Sequence, residues 1–308
     1  MIQSSRRGRC RSHDGFIVVA ALWILSALAT LASVYSIYVA NVATSLAVND
    51  DAIRAEALVH ASLELTAYRV TASERENRPS RGSFAFRLNA ADVSVEFCSE
   101  VARIDLNSAP KELLAGLFGV LGASDADQHA DRIIGWRSAP RSGSQDEVSL
   151  YQAVGLGYGP RGAPFAHVGE LALVVGLPPA LVERAMPHVT VYSGGSKINV
   201  LDASAEVIAA LPGMTPDLLE AVLADRQMLA DDSLPQLRSI RNAVTTAASN
   251  AMRVKVRMSF FNGRAVTSEA VILIDDGSEP YRVLSWEMDA DAQRSFSGTG
   301  LVTPRRPP

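Results

Sequence analysis

The sequence predicts an α+β protein in which a long N-terminal helix packs on an antiparallel sheet and a large all-α region is inserted between early and late strands. Three observations carry that prediction. They are an uncharged run of about 34 residues from Phe16 to Asn49, strand-like alternation near residues 84–103 and again after residue 250, and an internal repeat in the helical stretch between. The chain has 308 residues, 48% hydrophobic and 20% charged, which suits two modest domains and excludes disorder throughout. Its formal charge of -4 excludes a chain-wide basic surface that would capture nucleic acid by counterion release.

The uncharged run comes first. A bilayer needs roughly 20 apolar residues, and a cleaved secretory signal has an apolar core of only about 7 to 15. The run is therefore expected to remain as a membrane helix. Arg6, Arg7, Arg9 and Arg11 precede it, and Asp50 and Asp51 follow. The positive-inside bias then puts the N-terminus in the cytoplasm and the rest of the chain outside. Cys10 lies in the basic leader and Cys98 in the body, so no intramolecular disulfide would survive loss of the leader.

The helix is expected to continue past the span. Ile53, Ala57, Ala61, Leu65 and Tyr68 recur at three- or four-residue spacing, and the segment after Glu74 ends the pattern. A helix from Phe16 to about Val70 would be roughly 80 Å long at 1.5 Å per residue. Phe84 to Leu88 and Val93 to Phe97 then alternate as a hairpin. Late in the chain, Val254, Val256, Met258 and Phe260 alternate with polar residues, and Asn262-Gly263 supplies a turn. Val271–Ile274 and Tyr281–Trp286 complete a meander of about three strands.

Between these strands, Leu106–Leu117 aligns without gaps on Val200–Leu211. Ser108 and Asp202 stand at expected N-cap positions, with Glu112 and Glu206 near the first turn. Each copy runs into a second helix ending in arginine, Ala130 to Arg137 and Leu218 to Arg226. In the second copy Leu211-Pro212-Gly213-Met214-Thr215 resembles a helix-hairpin-helix, and the modules are expected to be helix-hairpin-helix or SAM-like. Nucleic-acid-binding hairpins use two glycines and nearby lysines to approach a phosphate. Here Thr215 replaces the second glycine and Asp217 stands where a lysine would help, so a packing module is favoured over a DNA clamp.

The junction Asp14-Gly15-Phe16 joins a basic leader directly to an apolar helix. That order resembles type IV pilins and the pseudopilins of type II secretion. The resemblance implies cleavage by a prepilin peptidase between Gly15 and Phe16 and methylation of the new N-terminus. It also implies a pilin-like fold for the long helix and sheet. Most members have glutamate at the fifth mature position, where this chain has Ala20. That departure, Ile104–Pro110, Ile133–Arg137, Val168–Gly176, Val189–Tyr192 and Ile198–Val200 together resemble the K-type minor pseudopilin of the general secretion pathway.

What the K-type resemblance implies is a structural subunit at the tip of a short periplasmic filament, anchored in the bacterial inner membrane by a single pass. Its implied partners are the I-, J- and H-type minor pseudopilins, the major pseudopilin, the prepilin peptidase, the inner-membrane assembly platform and the secreted substrates. Leu22, Trp23, Leu25, Leu28 and Leu31 are the expected filament-packing residues, with Ala20 among them. Some K-type members bind calcium in the stretch after the tryptophan, and here Asp146 and Glu147 are the calcium candidates.

Other chemistry has little support. His13, His60, His129, His167 and His188 are scattered, and no zinc, phosphate-loop or nucleophile-elbow motif occurs. Asp125, Asp127, His129 and Asp131 crowd a helix start, where acids complement the helix dipole. No enzyme activity is expected. The alternative function is a membrane-tethered DNA receptor using the hairpin at Leu211–Thr215. The expected divisions are a leader (1–15), a membrane helix (16–48), its extension with the first strands (49–104), two helical modules (105–188 and 189–249), late strands (250–290) and a flexible tail (291–308).

Overall fold

Between Phe16 and Thr71 the chain has no glycine or proline, so nothing interrupts helical hydrogen bonding. In the computed structural model, which describes residues 14–74, 77–88, 91–139, 147–226, 240–275 and 279–289, helix α1 runs without a break over Asp14–Thr71. The chain divides into two compact units, Met1–Ala57 and Leu58–Pro308. In the first, Phe16–Val42 is long and apolar enough to cross a membrane, and none of it is buried in protein. Two of its hydroxyls bond within the helix, Thr30 to the Ser26 carbonyl at 2.8 Å and Ser33 to that of Ala29 at 2.9 Å. Such local partners are what an apolar solvent demands of a polar group.

The second unit starts with the last turns of α1. Leu58, Val59, Leu63, Ala67 and Val70 form a buried stripe, joined by Ser62 and Thr66, whose hydroxyls donate to carbonyls one turn back. The chain then forms strands β1 (Arg81–Leu88) and β2 (Ala91–Ser99). An insertion follows: β3 (Ile104–Asp105), α2 (Lys111–Val120), α3 (Ala126–Arg137), α4 (Glu147–Ala153), α5 (Pro179–Ala185) and β4 (Val189–Thr190), then β5 (Ile198–Asn199), α6 (Ala205–Ala209), α7 (Pro216–Asp225) and β6 (Val244–Thr245). Strands β7 (Ala251–Phe260), β8 (Ala265–Ile274) and β9 (Tyr281–Asp289) complete the chain order.

The main sheet is antiparallel throughout, in the order β1-β2-β7-β8-β9. Period-two alternation puts Val93, Val95 and Phe97 on one face beside their β7 partners Met258, Val256 and Val254. The end of α1 covers that face: His60 meets Trp286 edge to face at 5.2 Å, and Arg69 lies over Phe84 at 4.4 Å. Trp286 Nε1 donates to Ser268 Oγ at 2.8 Å, which satisfies a buried hydroxyl. A bulge in the β8–β9 pairing falls between Val271 and Ile272.

The insertion is not purely helical, which corrects the all-α expectation. Each module is closed by a two-residue parallel pair, β3 with β4 and β5 with β6. Parallel strands need a crossover, and the helices supply it. The expected N-caps also shift. The N-cap position of α2 is Pro110 and that of α6 is Ser204, two residues beyond Ser108 and Asp202. The cause is a turn that comes first: Asp105 Oδ1 accepts from Asn107 N at 2.7 Å, and Asn199 Oδ1 from Leu201 N at 2.9 Å. Leu106, Leu113, Leu117, Phe118, Ile133 and Trp136 join Val200, Val207 and Ile208 in one buried cluster spanning both modules.

Candidate functional site

Gly15 and Phe16, the expected processing junction, lie in the first turns of α1, with Phe16 75% exposed. Ala20, Leu22, Trp23, Leu25, Leu28 and Leu31 follow on the same helix, and every large member is exposed. They do not share a face. At about 100° per residue, Leu22 and Leu31 project from opposite sides, so this helix offers apolar surface around its circumference.

Of the calcium candidates, Asp146 lies outside the described residues. Glu147 opens α4 and is already engaged, since Arg132 Nη1 donates to its two carboxylate oxygens at 2.9 and 3.1 Å. Among the described residues no group of three His, Cys, Asp or Glu side chains could hold a metal ion. The acidic cluster at the start of α3 is also spoken for in part. Asp131 pairs with Lys111 at 2.7 Å, and His129 packs edge to face on Phe118.

The hairpin of the second module is built for packing. Gly213 has φ +81°, a left-handed conformation that glycine adopts freely, and a Cβ placed there would stand 3.8 Å from the buried Ile240. Thr215 caps α7, its hydroxyl accepting from Leu218 N at 3.3 Å. The residue that replaces the second hairpin glycine therefore occupies a helix N-terminus that a phosphate-binding hairpin leaves open, and Asp217 adds negative charge there.

The repeat proves to be structural in detail. Arg137 donates to the carbonyls of Leu106 and of Ala109, the latter at 2.7 Å, and Arg226 donates to the carbonyl of Ala203 at 2.7 Å. Ala109 and Ala203 are equivalent positions, so the closing arginine of each copy ties back to the same turn. The copies also meet through equivalent positions. A Cβ on Gly116 would stand 2.2 Å from the carbonyl oxygen of its counterpart Ala210.

One site escaped the sequence altogether. Glu100, fully buried just beyond β2, receives Arg253 Nε at 2.7 Å and Arg253 Nη2 at 3.0 Å. Arg103 Nη1 donates to it at 3.3 Å, and the Thr190 hydroxyl donates to its other oxygen. Burial opposes the charge on Arg253, but hydrogen bonds and charge from Glu100 and Glu269 outweigh it and raise its pKa. No local motif marks Glu100, because its partners Thr190 and Arg253 lie 90 and 153 residues away.

Beside this network lies a cleft of about 570 Å³ lined by Arg81, Glu96, Cys98, Arg103, Asp202 and Lys255 among others. Two of its carboxylates are already paired, Asp202 with Arg81 at 3.4 Å and Glu96 with Arg257 at 2.6 Å. Burial pushes the Cys98 thiol up to about 11, away from a reactive thiolate.

Residues 87–194 match the family model for type II secretion system protein K. A chain in the crystal structure of the GspK-GspI-GspJ complex from the enterotoxigenic Escherichia coli type 2 secretion system is similar in fold. Its TM-score is 0.60 at 18% identity, covering 78% of this chain and 98% of that one. No curated protein matches. The family match spans about a third of the chain, and the structural similarity shows a shared fold. Proteins of that family are structural components of the secretion apparatus rather than enzymes.

Proposed function

We propose that this protein is a minor pseudopilin, the tip subunit of the type II secretion pseudopilus, where it starts filament assembly with the I-, J- and H-type subunits and so supports protein secretion across the outer membrane. The observation that carries this reading is the uncharged helix after Gly15, with Ala20 in place of a glutamate. A carboxylate buried among apolar helices is tolerable only beside a partner charge, such as the terminal ammonium of a neighbouring subunit. A subunit without it lacks the device for seating above another subunit in mid-filament. The helix serves as a single-pass anchor with the body in the periplasm, and the insertion adds the width that blocks addition above.

The test is co-expression with a prepilin peptidase and the I- and J-type subunits, followed by mass spectrometry of the N-terminus and immunogold labelling of filaments. The expected result is a mature chain beginning at methylated Phe16 and label at one filament end. An uncut chain where a control pseudopilin is processed, or label along the shaft, overturns the proposal. Nucleic acid has no supporting observation in the hairpin. Calcium at Asp146 and Glu147, which the family resemblance implies, would require Glu147 to leave Arg132. Calorimetric titration of the purified full-length chain with calcium checks it.

A further inference from the structure

The insertion and the sheet bury separate apolar sets. The insertion's core cluster runs from Ile104 to Ile240 and includes no residue of β1, β2, β7, β8, β9 or α1. The joint between the two bodies carries polar contacts beside the buried Val101 and Ala102. Ser249 N donates to Ser99 Oγ at 2.8 Å, and the two hydroxyls lie 3.0 Å apart, so the chain leaves the sheet and returns to it at one point.

Beside that neck sits Glu100, with no exposed surface. Its partners come from both bodies, Arg253 from β7 on the sheet side and Thr190 from β4 of the insertion, with Arg103 added from the connecting segment three residues on. Arg253 is held from its far side by Glu269 of β8 at 2.5 Å. Two further ties across the joint among the described residues are more exposed on at least one side, for Arg81 is 68% exposed in its pair with Asp202, and His167 stands 3.7 Å from an exposed Glu287. An apolar joint can slide, whereas a buried carboxylate bonded at both oxygens to donors from two bodies is satisfied in one relative geometry.

We infer that Glu100 is an orientation lock: it fixes the angle of the insertion on the sheet and contributes little to the folding of either body. The inference is independent of where in a filament the protein sits. Each body's own core holds it together, so opening the lock should free the angle and leave both bodies folded.

The experiment uses the full-length chain in detergent, with Cys10→Ser and Cys98→Ser removing native thiols. Spin labels are placed at Val154→Cys in the insertion and Phe261→Cys at the sheet end, both exposed positions. Pulsed electron resonance is expected to give one narrow distance distribution. With Glu100→Gln its width should increase about twofold or more, while the circular dichroism of the chain is retained. An unchanged distribution in Glu100→Gln overturns the inference. If Glu100→Gln fails to fold, Thr190→Val decides, since it removes one donor from the insertion side and leaves the Arg253 pair intact. Broadening in Thr190→Val with retained structure supports the lock, and an unchanged distribution there assigns Glu100 a folding role instead.

Discussion

The first helical module satisfies its turns more completely than the second. In the first, the Asp105 carboxylate takes Asn107 N on one oxygen and both Ser193 Oγ and Gly194 N on the other. Asn107 also exchanges two hydrogen bonds with the backbone of Phe165, pinning the long connection that follows α4. In the second, Asn199 accepts from Leu201 N and spends its amide on Asp202 and the Thr246 carbonyl. Arg137 reaches two carbonyls, whereas Arg226 reaches one and keeps a buried Nε without a hydrogen bond. The common plan needs only one side-chain oxygen at the turn and one arginine at the close. The additional bonds of the first copy go to stitching in a longer connection.

The sharpest way to break this comparison is at the contact the copies share. Gly116→Ala puts a methyl group against the backbone of Ala210, and forcing the helices apart should cost about 3 kcal/mol by urea denaturation. A cost near zero would mean that α2 and α6 do not meet as described. Next in size are the closing arginines. Arg137→Ala leaves two carbonyls without their donor and should cost about 2 kcal/mol, against about 1 kcal/mol for Arg226→Ala. Equal losses would remove the asymmetry.

Smaller effects separate the turns. Asp105→Asn replaces a charge-assisted acceptor with an amide that must turn a donor either toward Asn107 N or toward Ser193 and Gly194, which should cost about 1 kcal/mol by the same measurement. The smallest effect concerns helix starts. Pro110 offers α2 no side-chain cap, while Ser204 caps α6. The Glu206 backbone N–H and the Ser204 hydroxyl hold the Glu206 carboxyl below its ordinary value of 4.5. A lowered folded-state value stabilises the protein above that ordinary value, and the contribution is lost as pH falls through the lowered one. Glu206→Gln should therefore flatten the acid side of the stability profile slightly and leave it unchanged below the titration.

Much of the architecture was legible because its signals are local. An uncharged run, alternation at Val93–Phe97 and Val254–Met258, and an Asn-Gly turn each report on a few neighbouring residues. The repeat was legible as well, down to the closing arginines. The N-caps were not, because Ser108 and Asp202 are plausible caps until the turn at Asp105 and Asn199 moves the helix start. The closing pairs β3–β4 and β5–β6 are two residues each, too short for any periodicity to show. Glu100 was invisible for a different reason: an acid following a strand looks like a surface residue, and only the folded chain brings Thr190 and Arg253 to it.

The neck at Ser99 and Ser249 bears on the order in which the protein folds. β2 and β7 are sheet neighbours whose flanking serines, Ser99 and Ser249, are 150 residues apart, and such non-local pairing ordinarily waits on a slow search for closure. Once the insertion has folded on its own core, its two ends already touch. The strands are then presented to each other as the arms of an ordinary hairpin. Pulse-labelled hydrogen exchange should find the amides of α2 and α3 protected before those of β2 and β7, with the helical modules acting as the template on which the sheet closes.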